Sequence, residues 1–558
     1  MTERHSRSTY FISNRNETRG SFARPRSATA SEQEGAFRFS EMVKRGTPPS
    51  ADDALLRILA ERMTTGIPEQ DGTIPAGFTY LGQFVDHDLT RDATRTPFGT
   101  PVTAAQLDQA RSPSLDLDSV YGFGPQDPGS APFYQANGVK LLEGRTQEAG
   151  PPPVATLALD GFDLPRLGAS AEELEKARMA RIPDQRNDEN LAVAQTHLAF
   201  IRFHNATVND MARTGMPSAL LFEEARKRVV FHYQWMIRHD FLPRIVDPAI
   251  VDDVFTNGRK VFEVDATGHP TMPIEFSVAA YRLGHSMIRD DYDWNEFFHD
   301  RTGGLDRGSL LNLFRFSGTS GNLSPPPADP ENPLDGPFER LPTNWISDWT
   351  RLYDFKKDCG IAELAPAGGA RINMARRIDT RLTEPLALLP LGSFGSRGVS
   401  PANAVERNLA FRNLTRGRMV ALATAQEVAK HFSDMGAAVP ILTAEDLLGP
   451  GEGGVDLRNL PDRLKTELVT ETPLWFYVLR EAEKLGGRLG AIGGRIVAET
   501  FHRAIEGSRI SFLHEPNWRP TGGRHPGGFG MVDLLLKAYS AANGELRPLS
   551  PEAPRPTV

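Results

Sequence analysis

The sequence predicts one large, mainly α-helical domain with little β structure. Apolar residues recur at helical spacing over long stretches, as in Leu191, Ala194, Leu198, Ile201 and Val208. No segment repeats at a fixed period, and no linker divides the chain. With 558 residues, 39% hydrophobic and 24% charged, the composition is that of an ordinary soluble protein able to build a core.

Residues 1–50 are rich in Arg, Ser, Thr and Asn with few aliphatic residues, so a loosely ordered N-terminal arm is expected there. The body spans 51–541. It opens with a helical pattern from Asp52-Asp53 through Leu59, then a loop over Gly72–Gly77 leading into Leu81-Gly82-Gln83-Phe84-Val85-Asp86-His87-Asp88-Leu89-Thr90. Residues 123–169 are Gly- and Pro-rich with short apolar runs such as Val154–Leu159, which suits turns and a small hairpin. Ser170-Ala171-Glu172-Glu173 has the form of a capping box. Long buried helices are expected over 188–211 and 222–241, and further helices over 275–290, 344–355, 404–433, 473–484, 490–506 and 530–541. A Pro-, Gly- and Asn-rich loop occupies 318–342, and 542–558 form a C-terminal tail, unstructured from Pro548 onward.

A formal net charge of −8 leaves no electrostatic footprint for nucleic acid or an anionic membrane. Cys359 is the single cysteine, so no intrachain disulfide forms and a reducing compartment fits. The N-terminus has basic residues with no apolar core after them, and no apolar run approaches the ~18 residues needed to span a bilayer. A cytoplasmic location is the default expectation, with signal-independent export as the other route.

Five places carry chemistry. The decapeptide 81–90 holds an amide, two carboxylates and an imidazole in an apolar setting, groups that are costly to bury without partners. On a helix Gln83 and His87 share one face, and Asp86 and Asp88 flank it about 100° to either side. The segment Arg111-Ser112-Pro113-Ser114-Leu115-Asp116-Leu117-Asp118 alternates oxygen ligands in a way that suits a hard cation such as calcium. In Asp184-Gln185-Arg186-Asn187-Asp188-Glu189, Arg186 and Glu189 share a helical face. In Tyr281-Arg282-Leu283-Gly284-His285 a glycine precedes the histidine and lets a flat ligand approach the backbone. The fifth is Asn408 to Arg418, with Asn413 and Arg416. Taken singly, these have plainer explanations: a surface ion pair for Arg186–Glu189, a satisfied core histidine for His285, a helix cap for Asn413. His197, His204 and Cys359 are assigned to packing.

Together and in this order, GQFVDHDLT, SLDLDSVYG, DQRNDENLAVAQTHLAFIRFHN, YRLGHSMI and NLAFRNLTRGR make the chain resemble the animal-type haem peroxidases, from about residue 50 to about 540. This is the superfamily of myeloperoxidase and lactoperoxidase, with the cyclooxygenases and fatty-acid α-dioxygenases as wider relatives. The resemblance implies their large single-domain helical fold. It also implies haem b, and reduction of hydrogen peroxide through an oxyferryl intermediate with oxidation of halide, thiocyanate or small aromatic donors.

By the same resemblance His87 is the distal base, Arg186 its cationic companion, and Gln83 lines the water or halide site. His285 is the proximal iron ligand, and Asn413 accepts from its other ring nitrogen. Arg282 and Arg416 pair with haem propionates, and Asp86 and Glu189 match the acids that form esters to haem methyl groups. Asn190 stands where myeloperoxidase has the methionine of its sulfonium link, so no third bond is expected. Asp88, Ser112, Asp116, Asp118 and the Ser114 carbonyl match a calcium site. The paired cysteines of the secreted animal enzymes are absent, and the arm and the 318–342 insertion have no obvious counterpart.

Three other readings compete. A fatty-acid dioxygenase on the same scaffold carries its radical tyrosine three residues before the proximal histidine; here that position is Arg282, and Tyr281 is turned about 100° from it. A metal-dependent phosphohydrolase built on His87-Asp88 needs further converging ligands, and upstream of His87 only His5 is available. A non-catalytic scaffold gains nothing from burying His87, Arg186 and His285 together.

Overall fold

The computed structural model describes residues 37–550 apart from 51, 67–69, 95, 149–156, 169–176, 267, 301–306, 321–338, 367–368, 390–402, 438 and 541–543. Most of the expected arm, the capping box at 170–173, most of the 318–342 loop and the end of the tail therefore lie outside the described residues.

Among the described residues the architecture is helical, and strands occur only as two-stranded pairs. The apolar periodicity of 188–211 becomes the helix Leu191–Arg213, whose cap Asn190 accepts from the Val193 amide, a contact worth about 1 kcal/mol. It packs against Gly77–Leu89, Ser218–Met236 and Met531–Ala538. Phe84 fixes the first of these contacts by stacking on Phe200 with ring centroids 4.5 Å apart. At the start of Gly77–Leu89 only glycine fits, because a Cβ on Gly77 would stand 2.2 Å from the Tyr353 ring. A second group, Ala54–Thr64, Leu409–Met419 and Leu474–Lys484, packs behind the segment that carries His285. The described buried apolar residues form one contiguous core with a small satellite at Val208, Met211, Leu221 and Ala225. No described helix is long and apolar enough to cross a membrane.

Several elements differ from expectation. The expected loop Gly72–Gly77 begins instead in a strand, Asp71–Pro75, that pairs antiparallel with Met374–Arg376. The expected helix over 275–290 is a π turn, Glu275–Ala279, followed by a 3₁₀ run, Ala280–Met287. The expected helix over 344–355 is two short 3₁₀ turns, because Asp348 caps the second turn by accepting from the Thr350 amide and so interrupts a continuous helix. The stretch 404–433 breaks into Leu409–Met419 and Ala425–Asp434, with Ala421 at φ 47° between them. In the expected hairpin region Gly144–Arg145 pairs with Asp160–Asp163. The described end of the arm is packed: Phe39 and Ser40 pair with Met272 and Pro273, and Met42 and Val43 donate their amides to the buried Glu275 carboxylate at 2.9–3.0 Å. The described part of the expected tail is packed too, with Leu546 and Leu549 buried and the Leu546 carbonyl accepting from the Trp349 amide.

Candidate active site

The helix Gly77–Leu89 places Gln83 and His87 on one face, as their spacing requires, and turns Asp88 into the core. The neighbouring segment 184–189 closes over His87. Arg186 Nη2 donates to the His87 carbonyl at 2.9 Å, Asn187 Oδ1 lies 2.9 Å from His87 Nδ1, and Glu189 Oε1 lies 3.6 Å from His87 Nε2. Burial lowers the His87 pKa and the Arg186 charge adds to this, against the raising effect of Glu189, Asp184 and Asp86, which favours the neutral ring. Gln83 is oriented at both ends, accepting from Asn190 Nδ2 at 3.0 Å and donating to Glu189 Oε1 at 2.7 Å. Asp86 accepts from Thr90 Oγ1 at 3.0 Å.

Arg186 is aimed by Asp184, which takes its Nε at 3.1 Å and its Nη2 at 2.8 Å. Asp184 is buried, which alone would raise its pKa, but Arg111 and Arg186 outweigh this and hold the carboxyl well below the usual range. Arg111 reaches Asp184 at 2.5 Å and Asp118 at 3.7 Å. A chain of alternating charge thus joins Arg186 to the oxygen-rich segment.

In that segment Asp88, Asp116 and Asp118 bring ligand oxygens within 4.8 Å of one another, all three fully buried. Leu117, at φ 57°, is in the left-handed region; this turn sets the two flanking aspartates on one side while its own amide donates to Asp88. Ser112 Oγ donates to Asp116 at 3.1 Å, and the Ser114 carbonyl accepts from the Asp116 amide at 3.0 Å. Burial and the neighbouring Asp118 push the Asp88 carboxyl up to about 7. Three buried acids that repel one another, with a hydroxyl and a carbonyl beside them, fit a hard divalent cation.

On the other side, His285 Nδ1 lies 2.7 Å from Asn413 Nδ2. The pairing is the expected one, but its sense is reversed: the amide nitrogen faces the ring, so Nδ1 accepts. An imidazole that ligates through Nε2 needs Nδ1–H donating to Oδ1, which a half-turn of the Asn413 amide supplies. Arg282 donates its Nε to the Ser277 carbonyl at 2.8 Å, and Arg416 is paired with Asp92. The Arg416 pKa is lowered by burial, with the Arg282 charge also contributing, so the two guanidiniums lie close enough to repel.

The two sides meet where Tyr281, stacked on Phe276, donates its hydroxyl to the Gly82 carbonyl at 3.3 Å. His87 and His285 therefore sit on adjoining elements. A Cβ built on Gly284 meets no atom within 4 Å, and Gln83, Asp86, Arg186, Glu189, Arg282 and His285 all stay half-buried in an otherwise buried setting. Open space beside Gly284, imidazoles on two adjoining elements, two neighbouring arginines and two half-buried carboxylates make a donor set whose chemistry fits haem.

Sequence reasoning passed over Asn187, Asp184 and Arg111; the DQRN run placed the first two near Arg186, but nothing local tied Arg111 to them. Of the residues assigned to packing, His204 is satisfied by Tyr121 and Val139, and the Cys359 thiol donates to the Phe355 carbonyl. His197 packs edge-on to Phe84, and neither of its fully buried ring nitrogens has a hydrogen-bond partner among the described residues. Burial pushes its pKa down to about 3.

Residues 88–306 match the family model described as animal haem peroxidase. A peroxidase-like protein of Margaritifera margaritifera is 27% identical over 256 residues, covering 38% of this chain and 32% of that protein. Thyroid peroxidase of Rattus norvegicus is 32% identical over 186 residues, 31% of this chain and 19% of that protein. The chain thus spans a third or less of these relatives' own length. Among solved structures, peroxidase A of Dictyostelium discoideum superposes with a TM-score of 0.55 at 14% identity, covering 95% of this chain and 99% of that one. Fatty acid alpha-dioxygenase of Oryza sativa gives 0.53 at 13%, covering 95% and 83%. These two likenesses establish the shared fold.

Proposed function

We propose, from the match of residues 88–306 to the animal haem peroxidase model and the site geometry, that the chain is a member of that family and a haem-dependent peroxidase that reduces hydrogen peroxide at the expense of halide, thiocyanate or small aromatic donors. The observation that carries this reading is the arrangement of His285, paired through Nδ1 with Asn413 at 2.7 Å beside the open space at Gly284, on a segment packed against the His87 helix. Haem b bound there would supply the iron at which the oxygen–oxygen bond of peroxide is broken and the oxidising power passed to the donor.

The protein's own part is in binding, orientation and proton movement. His285 would hold the group from one side, with Arg282 and Arg416 on its propionates and Asp86 and Glu189 against its methyl edge. His87 Nε2 takes the proton from the inner oxygen of peroxide and returns it to the departing one, a contribution of about 10²–10⁴ in rate. Arg186, aimed by Asp184, stabilises the negative charge that builds on the departing oxygen. Gln83, tied to Asn190 and Glu189, offers a fixed amide to a small anion or water. A cation at Asp88, Asp116 and Asp118 would brace the helix that carries His87.

Support for peroxide over fatty-acid chemistry comes from Arg282 at the position three before His285, and from the Tyr281 hydroxyl being engaged with the Gly82 carbonyl. The test is absorbance of the purified protein near the haem Soret region, followed by peroxide consumption with iodide, thiocyanate and a phenol. His87→Ala should cut the reaction with peroxide by about 10²-fold or more. Absence of haem absorbance, or oxygenation of palmitic or linoleic acid without added peroxide, would overturn the reading.

A further inference from the structure

Resting on the peroxidase reading, we propose that Asn187 is a positioning residue that sets the tautomer of His87, leaving the lone pair on Nε2 for the proton of peroxide. A neutral imidazole carries its proton on one nitrogen or the other, and only the Nδ1–H form presents Nε2 as a base. Asn187 Oδ1 lies 2.9 Å from His87 Nδ1, with both side chains buried. In the observed orientation of the amide the atom facing the ring is Oδ1, which can only accept, so this contact is made by the Nδ1–H form.

The main chain around Asn187 is fixed independently of the ring. It lies in the 3₁₀ turn Gln185–Asp188, capped by Asp184, and its own amide donates to the Asp184 carbonyl at 3.0 Å. Arg186 clamps the His87 carbonyl from the same turn, so neither partner has room to drift. The other end of the Asn187 side chain, Nδ2, is fully buried with no hydrogen-bond partner among the described residues. An orphaned buried amide is a stability cost, and an apolar side chain would fill the same place without it. What the asparagine adds is the acceptor facing Nδ1.

Two measurements test this on the holoenzyme. In the diamagnetic ferrous carbonyl form, nitrogen-15 spectra of protein labelled at histidine, with the His87 signals identified by their loss in His87→Gln, should show the proton on Nδ1 and a bare Nε2. A proton on Nε2 overturns the proposal. Separately, cyanide binding to the ferric protein demands that hydrogen cyanide give up its proton, so its association rate reports the base without turnover. Asn187→Leu should slow both cyanide association and the reaction with peroxide by roughly 10- to 100-fold, with cyanide dissociation and the Soret band unchanged. Asn187→Asp, which keeps an acceptor toward Nδ1, should stay near the wild type. Equal rates in Asn187→Leu and wild type, or an equal loss in the leucine and aspartate variants, would overturn it. A wild-type protein that binds no haem or ignores peroxide refutes the peroxidase reading; a reactive wild type with an equally fast leucine variant refutes only the role of Asn187.

Discussion

Gln83 and Glu189, more than a hundred positions apart, are joined by a hydrogen bond of 2.7 Å from the amide of the first to the carboxylate of the second. The same Glu189 oxygen stands 3.6 Å from His87 Nε2, so the acid is held beside His87 by a residue of the same helix that carries His87.

That placement bears on covalent attachment. With Asp86 and Glu189 both half-buried at the site, we expect ester links to form to haem methyl groups when the loaded protein meets peroxide. Acid acetone should then fail to extract the haem, and peptide mass spectrometry should find it on the segments containing residues 86 and 189. Glu189→Gln should leave a single link at Asp86. Complete release of haem from the wild type would rule the esters out.

Asp184 lies between two arginines, and its removal should be severe. Asp184→Asn leaves Arg111 buried without its main counter-charge and frees the Arg186 guanidinium from its two hydrogen bonds. Breaking a buried pair of this kind costs about 3–5 kcal/mol, readable as a shift of the urea midpoint. The reaction with peroxide should slow along with it. Arg186→Leu keeps the Arg111–Asp184 pair, so it should lose the reaction while sparing most of the stability.

Chelation is expected to act through the three aspartates. Bound calcium should stabilise the fold by roughly 3 kcal/mol at about a hundredfold excess over its Kd. Exhaustive EGTA treatment should therefore lower the melting temperature and perturb the Soret band, because Asp88 adjoins His87. Calcium should restore both, and magnesium should do so poorly, since it holds its waters and demands tighter geometry. Asp116→Asn should raise the calcium requirement. An EGTA-treated protein indistinguishable from the untreated one would remove the cation from the account.

Glu275 gives a pH signature away from the site. Burial raises its pKa from 4.5 to about 7, against the opposing main-chain hydrogen bonds from Met42 and Val43. Because the folded value lies above the unfolded one, the folded state holds an extra proton between them. The associated stabilisation is complete below about pH 4.5 and is lost as pH rises through about 7. Denaturant midpoints between pH 4.5 and 8 should fall more steeply for wild type than for Glu275→Gln, which carries no titrating proton. Parallel slopes would show that Glu275 does not titrate in this window.

Much of the site was legible because it is written in local spacing. Gln83 and His87 are four apart, and a helix is enough to put them on one face. The alternation of Asp116 and Asp118 needed only a turn at Leu117 to become a ligand cluster. The expected helix over 344–355 fails on local chemistry: Trp345, Trp349 and Tyr353 are four apart, yet Asp348 bonds the backbone locally and splits the segment into turns.

By itself the sequence determined which side chains are present at the site and the mainly helical frame that carries them, since periodicity and short-range spacing depend on residues a few positions apart. The tertiary structure alone decided which of them meet: Asn187 on His87, Arg111 on Asp184, Tyr281 on Gly82, Glu275 on the end of the arm. Each of these contacts joins residues from 73 to 233 positions apart, and such contacts follow from how helices pack on a common core, which no local pattern encodes.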